Sequence, residues 1–206
     1  MALSQRRLAV AKAAVHLAAL APLAILSWQV ADVARTGGNA LGADPVAEIE
    51  HRLGLWALRL LMATLAVTPL RQLTGASDLL RFRRMLGLYA FAYATLHFSA
   101  YLVLDLRGYW DLVFGEIAKR PYITVGFGAW LLLLPLAATS TKGWIRRLGR
   151  NWARLHKLVY VAAVLAVLHF WWLVKSDVRE PLLYAAILAA LLGWRAWKRF
   201  GPRAGR

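Results

Sequence analysis

Five histidines are the side chains in this sequence best suited to metal or proton chemistry: His16, His51, His97, His156 and His169. Cysteine is absent, which excludes disulfides, thiolate-ligated clusters, a Cys-ligated zinc site and covalent haem attachment through C-x-x-C-H. Any metal centre must be built from His, Met, Tyr or carboxylate. His97 sits inside the apolar stretch Ala94-Thr95-Leu96-His97-Phe98, while His156 and His169 bracket most of another apolar stretch. Since 169 − 156 = 13, a straight helix sets those two about 19 to 20 Å apart at 1.5 Å per residue, so they serve opposite leaflets of a bilayer. His97 lies as far from Arg84 as His169 lies from His156, so His97 and His169 share a depth. Two neutral imidazoles at one depth suit axial ligation of a single haem iron; hydrogen-bonded packing and a proton relay are the other readings of such histidines.

Those side chains need elements to hold them, and composition says which. With 60% hydrophobic residues in 206 and 15 Gly but only 7 Pro, the chain has more apolar surface than one soluble domain can hide. Six runs meet or approach the roughly 20 residues that cross a bilayer: 13–31, 53–70, 85–104, 122–138, 158–174 and 182–197. The expected fold is an all-α, six-helix membrane bundle forming a single domain, 1–206, with no convincing internal repeat. The first run follows Arg6, Arg7 and Lys12 and reads as a retained helix rather than a signal peptide. A net charge of +16 does not indicate nucleic acid here, because the basic residues lie between the apolar runs. Of the 26 Lys and Arg, 18 fall on one side of the six-run topology, and nine of the ten acidic residues fall on the other. That bias places both termini in the cytoplasm.

Three further residues could do chemistry. His16, at the start of the first run, fits either a hydrogen-bonded helix end or a flavin or quinone site, and His51, beside Glu48, Glu50 and Arg52, fits either a loop contact or a quinone site. Arg59 lies inside the second run, where its guanidinium either snorkels to the interface or meets an anion such as a haem propionate.

Leu41-Gly42-Ala43-Asp44-Pro45, Arg83-Arg84-Met85-Leu86-Gly87-Leu88, Ala94-Thr95-Leu96-His97, Arg120-Pro121-Tyr122, Thr139-Ser140-Thr141, Leu155-His156-Lys157-Leu158-Val159-Tyr160 and His169-Phe170-Trp171 occur in this order. In that order the chain resembles the MsrQ (YedZ) family, haem-binding membrane subunits within the ferric-reductase-like transmembrane superfamily. The resemblance implies haem b and FMN as cofactors. It also implies electrons from the quinone pool or a cytoplasmic flavin reductase, delivered to MsrP, a periplasmic molybdopterin subunit that reduces methionine sulfoxide in oxidised proteins. It matches His97, His156 and His169 to the family's haem ligands. Superfamily relatives carry two histidines on each of two helices, whereas the third run here has His97 alone. The cationic loops with Arg81, Arg83, Arg146 and Arg147 either enforce topology or also attract a flavin phosphate.

The chain has no G-x-G-x-x-G dinucleotide fingerprint and no nucleophile–base pair, so electrons come from another molecule and bond-making chemistry falls to a partner. An electron-transfer subunit of the bacterial inner membrane is the leading reading. A stand-alone ferric reductase, a cytochrome b561-like quinone oxidase, a cofactor-free proton channel or transporter, and an anchoring subunit are the alternatives. Reporter fusions after Arg206 and within the 140–151 loop are expected to report cytoplasm; a periplasmic signal from either reverses the orientation.

Overall fold

The computed structural model describes residues 4–201, and among them the regular structure is helical throughout. The long helices are α1 (Gln5–Thr36), α2 (Pro45–Thr74), α3 (Leu80–Ala100, continued by a π-helical turn Tyr101–Asp105), α5 (Pro121–Ala138), α8 (Leu158–Leu173) and α9 (Arg179–Phe200). Three short helices connect them: α4 (Val113–Lys119), α6 (Lys142–Leu148) and α7 (Arg150–Leu155). Helices dominate because apolar runs in lipid must satisfy their backbone groups internally. Local signals set the ends. The Asp44 carboxylate accepts from the Ala47 N–H at 3.0 Å ahead of Pro45, and Gly75, at φ 71°, closes α2 by donating to the Arg71 carbonyl.

Five helical stretches are long and apolar enough to cross a membrane: Gln5–Thr36, Pro45–Thr74, Ser77–Asp105, Pro121–Ala138 and Arg150–Leu173. The sixth expected run forms the helix α9, with 22 residues, but is not one of these five; Glu180, Arg195, Lys198 and Arg199 lower its apolar character. A second difference concerns His156, which occupies a turn between α7 and α8. The straight-helix geometry expected between His156 and His169 therefore does not hold.

Two helix pairs make the heart of the bundle, α2 against α3 and α5 against α8. They are related by an internal repeat that the sequence reading did not find. Leu96-His97-Phe98 and Leu168-His169-Phe170 sit at equivalent places, as do Gly54 and Gly126 (169 − 97 and 126 − 54 both give 72). Leu61 and Leu133, and Ala90 and Ala162, are matched in the same way, and all four are buried. Small residues such as Ala90 and Ala162 let the helix backbones approach closely, which is how helices associate in lipid.

A proline inside one helix frees a carbonyl that another helix collects. Pro69 lacks the N–H that would bond the Leu65 carbonyl, and the Arg195 guanidinium of α9 donates to that oxygen instead. Arg195 also donates to the Leu191 carbonyl at 2.7 Å and lies over the Tyr160 ring at 5.4 Å. Beside Pro22 in α1, the Tyr93 hydroxyl of α3 donates to the Ala19 carbonyl at 2.7 Å and ties the two helices together. Arg195→Met is expected to strand the Leu65 carbonyl and cost about 1–3 kcal/mol, read as a lower Tm in detergent. In Pro69→Ala, where a helix N–H is restored, the same substitution should cost clearly less; equal losses in both backgrounds would remove this role.

Candidate functional site

The rings of His97, near the end of α3, and His169, near the end of α8, face each other with centroids 6.1 Å apart and planes inclined by 67°. Each is held in the same way. The Nδ1 of His97 bonds the Glu50 carbonyl at 2.9 Å, and the Nδ1 of His169 bonds the Tyr122 carbonyl at 2.7 Å; each bond spans 47 residues. A carbonyl can only accept, so each Nδ1 carries the proton and each Nε2 keeps its lone pair. Both carbonyls lie near the starts of α2 and α5, which brings the histidine-bearing end of each pair against the start of its partner helix.

A glycine seats each ring. A Cβ added at Gly54 would lie 3.2 Å from His97 Cε1 and Nδ1, and one added at Gly126 would lie 2.7 Å from His169 Nδ1 and 2.9 Å from its Cε1. Each glycine stands one helical turn beyond the carbonyl that its histidine uses, so its bare backbone gives the ring room to reach that oxygen. The sequence reading passed over both glycines. Their signal was present: the interval from Gly54 to Gly126 equals that from His97 to His169.

The paired rings line a cavity of about 460 Å³ between the two helix pairs. Metal–nitrogen bonds of about 2.0–2.1 Å, with each ring centre roughly 1 Å beyond its nitrogen, put two imidazoles trans on one metal about 6 Å apart, centroid to centroid. The observed spacing meets that requirement. Among the described residues no group of three or more His, Asp or Glu gathers as a metal site, so this cavity offers two imidazole nitrogens rather than a full ligand set. Glu50, Tyr101 and Arg120 border the same cavity. Glu50 Oε1 and the Tyr101 hydroxyl are buried without a hydrogen-bond partner, while Arg120 pairs with Glu116 at 3.0 Å.

The remaining expected residues disperse. His51 lines this cavity and its Nε2 lies 3.7 Å from Glu180. Arg59 finds its anion within the protein: it donates to the Tyr184 hydroxyl at 2.9 Å and sits 3.8 Å from Glu180, over the Trp56 ring. His16 bonds the Tyr89 hydroxyl at 2.7 Å and borders neither of the two cavities described. His156 and Arg83 line a second cavity. Arg81 pairs with the buried Asp78 at 3.0 Å; Arg146 and Arg147 are exposed on α6, with Arg147 over the Trp144 ring.

The family described as "Ferric reductase like transmembrane component" matches residues 53–167, which take in Gly54, His97, Gly126 and His156. A relative from Xanthomonas oryzae pv. oryzae is 69% identical over 203 residues, covering 98% of this chain and 93% of its own. The chain belongs to the MsrQ family. That relative carries the name protein-methionine-sulfoxide reductase heme-binding subunit MsrQ. So do one from Xanthomonas campestris pv. campestris, 71% identical over 193 residues (94% and 88% of the two chains), and one from Caulobacter vibrioides, 46% identical over 185 residues (89% and 85%).

For this MsrQ-family chain the glycine seats generate a graded expectation. Gly126→Ala must push the His169 ring off the Tyr122 carbonyl and should cost about 1–3 kcal/mol, the usual range for overpacking. Gly54→Ala, where contact is looser, should cost less. Thermal unfolding of the two purified variants checks the order, and a Gly126→Ala protein as stable as wild type would refute the seat.

Proposed function

We propose that this chain is the haem-binding, electron-carrying membrane subunit of a protein-methionine-sulfoxide reductase, with one haem b iron held between His97 and His169. The observation that carries this reading is the pair itself: two imidazoles, each fixed through Nδ1–H to a helix carbonyl, meeting across one cavity at the spacing of trans ligands. Among the described residues His97 and His169 would hold the iron, and a porphyrin would supply its remaining donors. Arg120 and the unpartnered Tyr101 hydroxyl, which border the cavity, would hold the propionates; Arg59, expected in that role, does not border it.

Bound haem supplies a one-electron couple. The Glu50 and Tyr122 carbonyls orient the two imidazoles and fix their tautomer, and the apolar lining would help to set the potential of a haem held there. Sulfoxide reduction belongs to a partner, a periplasmic molybdopterin subunit of the MsrP kind, in keeping with the relatives' name as heme-binding subunits of a methionine-sulfoxide reductase. Electrons enter from the quinone pool or from a cytoplasmic flavin reductase, with FMN at the basic surface of Arg81, Arg83, Arg146 and Arg147. In this reading α9 is the sixth span, and both termini lie on the cytoplasmic side of a bacterial inner membrane; the bias of Lys and Arg toward one side supports it.

His97→Ala and His169→Ala are each expected to lose haem or turn it high-spin, whereas His156→Ala keeps a full low-spin spectrum. Pyridine haemochrome content and absorption spectra of the three purified variants decide this. A low-spin spectrum surviving in His169→Ala but lost in His156→Ala would reassign the ligands.

A further inference from the structure

We propose that His51, paired with Glu180, takes up one proton when the haem held by His97 and His169 is reduced and returns it when the electron leaves. This deepens the electron-carrier reading, on which it rests, by giving the electron a proton partner at a named site. His51 lies in the second turn of α2 and Glu180 in the first turn of α9, so both sit at the end of the bundle where these helices begin. The His51 Nε2 stands 3.7 Å from Glu180, and both side chains are part exposed. The His51 ring packs near Phe170, the residue after His169, with centroids 6.0 Å apart, and it lines the cavity between the two helix pairs. It therefore borders the haem cavity on one side and is open to the surroundings on the other.

Chemistry separates His51 from the other two histidines of this cavity. His97 and His169 spend Nδ1–H on carbonyls and turn Nε2 to the metal position, so neither has a nitrogen left for a further proton. The His51 ring meets no backbone carbonyl among the described residues, and a proton added to it completes an ion pair with Glu180. On α2, Glu48 is bonded by Arg52 at 2.6 Å, and Arg59 stands 3.8 Å from the other oxygen of Glu180. On α9, the Tyr184 hydroxyl accepts from Arg59 at 2.9 Å, and in the connection before it Asp177 pairs with Arg179 at 3.9 Å. The rest of the cavity border carries Glu50 of α2, Tyr101 and Asp105 of the π-helical turn, and Arg120 and Tyr122 around the start of α5, with Arg120 held by Glu116. A cation beside this cavity disfavours ferric iron more than ferrous, because reduction removes one positive charge, and an apolar lining screens that difference poorly. His51 thus holds its proton more tightly once the electron has arrived. The electron is the one delivered by the donor of the proposed function, and the proton comes from water. Reduction of a sulfoxide to a thioether and water consumes two electrons and two protons, so a carrier that gives up one proton with each electron matches what the partner needs.

The test is a spectroelectrochemical titration of purified, haem-loaded protein between about pH 5 and 8, the range in which a histidine changes charge. Wild type should show a midpoint potential that falls as pH rises, up to a tenfold change in the reduction constant, ~59 mV, per pH unit. His51→Gln should keep full low-spin haem and give a flat potential near the wild-type value at high pH. Glu180→Gln, which removes the anion and leaves the imidazole, should move the bend about half a pH unit or more toward acid. A slope that survives in His51→Gln overturns the proposal by giving the proton to Glu50, Asp105 or a propionate. Haem lost from His51→Gln overturns it by making His51 a haem-holding group, and an unmoved bend in Glu180→Gln overturns the pairing. A haem-loaded wild type with a flat potential sinks the proton site alone, whereas wild-type protein that takes up no haem sinks the electron-carrier reading with it.

Discussion

A histidine N–H bonded to a helix carbonyl, one turn ahead of a glycine, is the interaction from which the rest of the site follows. Inside an α-helix each carbonyl already accepts from the N–H four residues on, here that of Gly54 or Gly126, but it has a second lone pair. Reaching that lone pair requires the imidazole to lie almost on the helix backbone, which only glycine permits. Once made, the bond settles three things together: the tautomer, the plane of the ring and the closeness of the two helices. Made twice, at Glu50 and Tyr122, it sets two equivalent helix pairs face to face and leaves the cavity between them.

Arginine inside the bundle follows a related logic. The Lys and Arg bias over the loops treats each cation as a topology signal, yet Arg195 spends its guanidinium on the carbonyl released by Pro69, and Arg59 spends its own on Tyr184 and Glu180. In an apolar medium a stranded carbonyl or carboxylate is costly, and a long side chain with five donors is well suited to reach it. Charge placed near a helix end can thus serve packing and topology together.

These contacts mark where the sequence was legible. Hydropathy was enough to find the helices, because membrane thickness imposes a length that composition reveals, although the mixed character of α9 left it short of the other five. Equal counting from basic flanks put His97 and His169 at one level, and their rings do meet. The turn at His156 was hidden, since no Gly or Pro marks Leu155-His156-Lys157. Gly54 and Gly126 read as ordinary glycines of a membrane helix until the rings they seat are located. The repeat escaped notice because it survives in Leu-His-Phe and a few buried positions rather than in continuous identity. The anion for Arg59 was out of reach too, since Glu180 lies more than a hundred residues away on a helix whose partner no local pattern discloses.

The repeat also explains why the two ends of the bundle differ in chemistry while sharing a frame. At one end equivalent positions carry His97 and His169; at the other they carry Arg84 and His156. Two imidazoles held through Nδ1–H present two lone pairs to the cavity between them, whereas an imidazole and a guanidinium present one acceptor and a set of donors. The matched pair Leu61 and Leu133 belongs to both cavities and divides them. Near-symmetric helices therefore border two cavities with different polar groups, and the histidine-to-arginine difference at position 84 is part of that contrast.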